Sequence, residues 1–151
     1  MSASPQDLMT AKLFFNAAFP TMQVLLDDDP KLHKKFQNFN ATVQFGAMND
    51  GELLCCHLIF QNGNLTVVQG PAEKSDISLT FSSVEKMNSL LKGGLSLPSI
   101  KGNLSLLPNV LSILMGLKIM TKPNDKLKND TEKLLKVKCS LYMITRALSQ
   151  Y

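Results

Sequence analysis

Cys55, Cys56 and His57 stand side by side in the chain. A thiol next to an imidazole is the pairing that activates a cysteine nucleophile, because the ring accepts the proton and leaves a thiolate. The two side chains must meet for this to happen. The surrounding run Leu53–Phe60 is apolar and reads as a β-strand, in which neighbouring side chains point to opposite faces. Cys56 and His57 therefore cannot touch unless the strand is bulged, and Cys55 and Cys56 face opposite ways. His33 is isolated. The three cysteines are odd in number and lack Cys-x-x-Cys spacing, which predicts buried thiols acting as small hydrophobes in a reducing compartment. Asp27-Asp28-Asp29 is a carboxylate run, but consecutive side chains do not converge on one ion without a dedicated loop. Asp29-Pro30 reads instead as a helix cap followed by the first helical residue. No phosphate loop, dinucleotide fingerprint, Gly-x-Ser-x-Gly or metal-ligand spacing is present. The residues predict no enzyme, no metal and no cofactor.

The elements that carry these residues fit one domain spanning 1–151. Hydrophobic residues make up 44% and charged ones 19%, too apolar for a disordered chain. The net charge of +4 is spread over several segments, and the basic residues have no interleaved aromatics. That argues against nucleic acid and leaves room for transient contact with an anionic membrane surface. The start Met-Ser-Ala-Ser-Pro-Gln-Asp has neither the basic beginning nor the apolar core of a secretory signal, so a cytoplasmic protein is expected. The four Asn-x-Ser/Thr triplets at Asn40, Asn64, Asn103 and Asn129 then read as chance matches.

In chain order, Ser4-Pro5-Gln6-Asp7 is a helix start, with Ser4 as the cap and Asp7 closing a capping box. Leu8, Ala11, Phe15 and Ala18 share a face of that helix, and Pro20 is expected to break or kink it near Phe19. Leu32, Phe36 and Phe39 give a second amphipathic helix, with Lys31, Lys34 and Lys35 on its solvated side. Residues 40–48, 53–60 and 65–68 read as three antiparallel strands joined by turns at Asp50-Gly51 and Asn62-Gly63. The second is the strongest hairpin signal in the chain. Residues 76–82 alternate most cleanly. Ile77, Leu79 and Phe81 fall on one face and Ser78 and Thr80 on the other, which predicts a sheet with one covered face and one face in water. A helix over Val84–Leu91, with Met87, Leu90 and Leu91 inward, stops at Gly93-Gly94. An apolar helix over about 109–120 follows; Pro108 and Gly116 interrupt its segment, which is too short to span a membrane. Apolar residues on most of its circumference predict burial on more than one side. A long helix over about 125–148 closes the chain, with leucines at 127, 134, 141 and 148.

Three motifs in this order resemble the sterol carrier protein two (sterol transfer) family. They are the strand Asp76-Ile77-Ser78-Leu79-Thr80-Phe81-Ser82, the helix end Leu90-Leu91-Lys92-Gly93, and Ile100-Lys101-Gly102-Asn103-Leu104. The likeness covers roughly 14–107. The family's Gly-Lys-x-x-x-x-Gly-Asp run is reduced here to Ser99–Asn103, and the C-terminal helix exceeds the family's compact ending, so the fifth strand and the pocket rim stay open. The resemblance implies an α+β fold: a mainly antiparallel five-stranded sheet, one face covered by helices, with a hydrophobic tunnel between them. It also implies binding of a sterol, fatty acid or acyl-CoA without chemistry of the protein's own.

The residues add a surplus of apolar helix and of methionines, suited to an adaptable lining. If the 109–120 helix faces the sheet across a cavity, Ile77, Leu79, Phe81, Leu111, Leu114 and Met115 are the expected ligand contacts, and the partner is a hydrophobic small molecule. The alternative is an interaction module, in which residues 104–120 or the C-terminal helix dock a partner or form a homodimer.

Overall fold

The computed structural model describes residues 2–121. Its first element bears out the cap reading: the Asp7 amide donates to Ser4 Oγ, and helix α1 runs Pro5–Leu13. Pro20 does not break the helix as expected. Phe14–Ala18 forms a π-helical turn that passes without interruption into α2, Phe19–Asp28. The Phe19 amide reaches back five residues to the Phe14 carbonyl. Proline lacks an amide hydrogen and crowds the carbonyl four residues before it, so a locally wider turn accommodates the ring where a regular turn would clash. Asp29 caps α3, Pro30–Phe36, by accepting from the Lys31 and Leu32 amides.

Strands β1 (Ala41–Asn49), β2 (Glu52–Gln61) and β3 (Asn64–Gln69) form the expected meander. Asp50-Gly51 and Asn62-Gly63 take φ of 51°, 80°, 52° and 82°, the paired positive values that a two-residue hairpin turn needs. Then come β4 (Ile77–Phe81), α4 (Val84–Leu91), β5 (Ser99–Gly102), a 3-10 turn at Leu104–Leu106 and α5 (Leu107–Thr121). The helix expected from about Asn109 begins two residues earlier, at Leu107. The expected helix over 125–148 lies outside the described residues.

The sheet order is β3-β2-β1-β4-β5, and every pair is antiparallel except β1–β4. The fold is therefore α+β with a mainly antiparallel five-stranded sheet. Because β4 lies beside β1, the connection after β3 must cross β2 and β1. It crosses the outer face, where the Gly70 carbonyl accepts from His57 Nδ1 at 2.9 Å and the Ala72 amide donates to Gln44 Oε1 at 3.0 Å. The outer face is thus partly roofed rather than left wholly to water, and Cys55 and Gly46 are buried there. A Cβ on Gly46 would overlap Cys55, so the close fit at this point requires glycine. Among the described residues no helix is long and apolar enough to cross a membrane.

Candidate functional site

Alternation along the three central strands places Val43, Phe45 and Ala47, then Cys56, Leu58 and Phe60, then Ile77, Leu79 and Phe81 on the inner face. None is more than 3% exposed. The helices cover this face with Phe14, Phe15, Phe19, Met22, Leu26 and Phe36. Phenylalanine rings link the two layers. Phe15, Phe19, Phe45 and Phe81 follow one another at centroid distances of 6.2, 5.5 and 5.4 Å, from the helices across β1 to β4. Phe36, Phe39 and Phe60 form a second group at 5.2–5.4 Å under α3. Offset and edge-on aromatic pairs at these separations add about 0.5–1.5 kcal/mol each beyond burial.

Asp76 holds the far edge of the site in register. Its carboxylate accepts from the Thr42 amide at 2.7 Å, its amide donates to the Thr42 carbonyl at 2.8 Å, and its carbonyl accepts from the Asn103 amide at 2.8 Å. One residue thus ties together β1, the start of β4 and the end of β5. Gly102, at φ 107°, passes so close to the Asp76 carbonyl that a Cβ would overlap it. The reduced Ile100-Lys101-Gly102 motif is accordingly the fifth strand, paired with β4 from Ser99–Thr80 to Gly102–Ile77.

The six expected contacts separate into two groups. Ile77, Leu79 and Phe81 are 0%, 2% and 0% exposed, and Leu114 joins the same apolar cluster at 8%. Leu111 and Met115 point outward, 50% and 64% exposed. The reason lies in how α5 sits. It packs on α2, α3 and α4, with Val110, Ile113 and Leu114 inward. Gly116 faces α2, where a Cβ would meet Met22 Cε at 3.4 Å and Leu25 Cδ1 at 3.5 Å, ordinary contact distances. Lys35 of α3 clips the start of the helix by donating to Ser112 Oγ and the Pro108 carbonyl. Residues 110, 113 and 114 form one helical stripe, whereas 111 and 115 lie on another. A helix apolar nearly all round does not announce which stripe will turn inward.

Asn88 was not anticipated. It is the one buried polar side chain among the described residues, 2% exposed. Its Nδ2 donates to the Asp7 carbonyl at 2.9 Å, tying α4 to α1, while Oδ1 has no protein partner. The signal was in the sequence: Asn88 falls four residues after Val84 and three before Leu91, on the inward stripe of an amphipathic helix. A buried acceptor without a donor costs about 1–3 kcal/mol.

The cysteine–histidine cluster is separated as the strand geometry requires. Cys56 pairs with Phe45 and faces inward, whereas His57 pairs with Gln44 and faces outward, bonded to Gly70. Burial pushes the Cys56 thiol up to about 12, with the neighbouring Cys55 adding to the shift, and burial also raises Cys55. Both sulfurs are held as thiols at neutral pH, the form that is a poor nucleophile.

No family model and no curated protein sequence matches the chain. Solved structures do match. The sterol carrier protein domain 2 of Helicoverpa armigera superposes with a TM-score of 0.54 and 17% identity, over 82% of this chain and 99% of that one. Sterol carrier protein 2 from Yarrowia lipolytica, in its apo form, superposes with a TM-score of 0.51 and 20% identity, over 72% of this chain and 98% of that one. At these identities the likeness is one of architecture, and the architecture of this chain is that of the sterol carrier protein 2 domain.

Proposed function

We propose that the chain is a non-catalytic lipid carrier. It takes one hydrophobic small molecule, a sterol, a fatty acid or an acyl-CoA chain, between the inner face of the sheet and the helices. The observation that carries this reading is the interior itself. Sheet and helices enclose a continuous aliphatic and aromatic layer whose one buried polar side chain, among the described residues, is Asn88. The shared architecture with two proteins named as sterol carriers supports the same reading. In this account Ile77, Leu79, Phe81 and Leu114 form the wall that meets the apolar body of the ligand. Leu111 and Met115, on the outer stripe of α5, meet it on entry. Asn88 Oδ1 accepts from a ligand hydroxyl. The element that yields to admit the ligand is α5, which packs on other helices.

Native mass spectrometry of the protein purified from cells tests the proposal. The expected result is a monomer carrying an added mass that organic solvent extracts. Repeated preparations that show the bare chain, and no uptake of added lipid, would overturn it. The exposed residues Leu104, Leu111 and Met115 favour one second reading, a homodimer formed through residues 104–120. A dimer mass without lipid would support that reading instead.

A further inference from the structure

The connection between α4 and β5 is unlike the rest of the surface. Leu95 and Leu97 are 101% and 93% exposed, more than any other large hydrophobic side chain among the described residues. They lie in Leu95-Ser96-Leu97-Pro98, which has no regular secondary structure. Both ends of this loop are anchored. Gly93, at φ 95°, turns its amide back to the Leu90 carbonyl at 2.9 Å, and the Gly94 amide donates to the Ser89 carbonyl at 2.7 Å. A Cβ on Gly94 would overlap Ser89, so the exit from α4 is a close-fitting turn. At the other end Ser99 pairs with Thr80 in the sheet. The two leucines are therefore presented to solvent from a fixed frame and not from a fraying end.

The charged residues nearest them in the chain are basic. Lys92 and Lys101 bracket the loop and are exposed, as is Lys86 on α4. Between Lys86 and Lys101 the chain has no carboxylate, and Glu85 precedes that stretch on the first turn of α4. The acidic residues at this end of the sheet are Asp50 and Glu52 at the β1–β2 turn, Glu85 on the first turn of α4, and Asp7 of α1, which Asn88 of α4 touches. β4 lies between β1 and β5, so Asp50 and Glu52 are about 10 Å from the start of β5, and Glu85 lies seven residues before Lys92, roughly 10 Å along the helix. At physiological salt that distance is roughly the screening length.

We propose that the Leu95–Pro98 loop is a membrane-docking element. Leu95 and Leu97 insert among the acyl chains of an anionic bilayer, while Lys86, Lys92 and Lys101 meet its phosphate headgroups. Two side chains on a short loop fall far below the roughly 800 Å² per partner of a stable protein interface. A bilayer sets no such minimum, since its interior is a continuous apolar medium that a single loop can enter. The charge complementarity decides for anionic lipid, and the proposal stands whether or not the domain holds a lipid inside.

The test uses the full chain and sedimentation with phosphatidylcholine vesicles, with and without phosphatidylserine. Binding is expected only with phosphatidylserine and should weaken as salt is raised. Leu95→Ser and Leu97→Ser should each lower partitioning by about tenfold. Lys92→Gln and Lys101→Gln should each lower it by roughly fivefold. Because neither leucine is covered in the fold, Tm should stay unchanged, and lipid retention in native mass spectrometry should persist in all four variants. No binding of the parent chain to anionic vesicles, or equal binding by the leucine variants, would overturn the proposal. A fall in Tm for the leucine variants without vesicle binding would show that residues 122–151 cover the loop, and a dimer that dissociates in those variants would show that a second copy does.

Discussion

Two side chains set opposite tests of the interior. Asn88 presents a buried acceptor with no protein donor. Asn88→Leu removes that acceptor along with the bond to Asp7, so stability should change by about 1 kcal/mol or less, the two effects opposing each other. If a ligand hydroxyl uses Oδ1, the same variant should bind a sterol or other hydroxyl-bearing lipid several-fold more weakly while holding a hydroxyl-free hydrocarbon as before. Equal losses for both ligands would place Asn88 outside the site. Cys56 tests the absence of thiol chemistry. Its ionisation is pushed up to about 12, so at pH 9 it remains a thiol when an exposed cysteine is already largely thiolate. Peptide mapping after iodoacetamide treatment at that pH should find Cys56 unmodified in the native protein and alkylated after denaturation. Rapid native labelling, or an acyl adduct on Cys56, would revive a catalytic role.

Among the elements, β4 carries the most. It is the junction of the parallel and antiparallel parts of the sheet, and it supplies three of the proposed wall residues. Its alternation decides which face each residue serves. Leu79→Ala should cost about 2–5 kcal/mol, because a fully packed leucine leaves a cavity behind. Thr80→Lys, on the outer face, should cost about 0.5 kcal/mol or less. Chemical denaturation of both variants checks the assignment, and a larger loss from the threonine variant would reverse it. α5 offers the matching contrast for helices. Leu114→Phe adds volume on the inward stripe and should lower stability by about 1–3 kcal/mol if the site is fully packed. Met115→Phe adds volume on an exposed position and should leave Tm unchanged. If Leu114→Phe is also neutral for stability but weakens binding of long acyl chains, the space beside it is where ligand goes.

For the molecule as a whole, the carrier proposal makes a statement about ligand size. Affinity drawn from buried hydrocarbon grows by about 0.8 kcal/mol per methylene, roughly fourfold in Kd at each step. A ladder of fatty acids should therefore bind progressively tighter until the interior is filled and then level off. A flat ladder would mean that ligands touch only the surface. Net charge works at this scale too. The second half of the described chain is more basic than the first and also carries the exposed leucines, so vesicle binding and interior lipid binding are separable measurements.

Much of the local architecture was legible in the residues alone. The alternation of Ile77, Leu79 and Phe81 gave the buried face, because a strand has a side-chain period of two. Asp50-Gly51 and Asn62-Gly63 marked both hairpins, because those residues tolerate positive φ. Ser4 and Asp29 marked two helix starts, because their oxygens satisfy free amides. These features depend on torsions and neighbours within a few residues. The pairing of β4 beside β1 and the crossing of the outer face by residues 70–76 were settled by contacts between distant parts of the chain. So was the choice of Val110, Ile113 and Leu114 over Leu111 and Met115. An apolar helix can bury any of several stripes, and only the neighbours it packs against, here α2, α3 and α4, decide which one is inside.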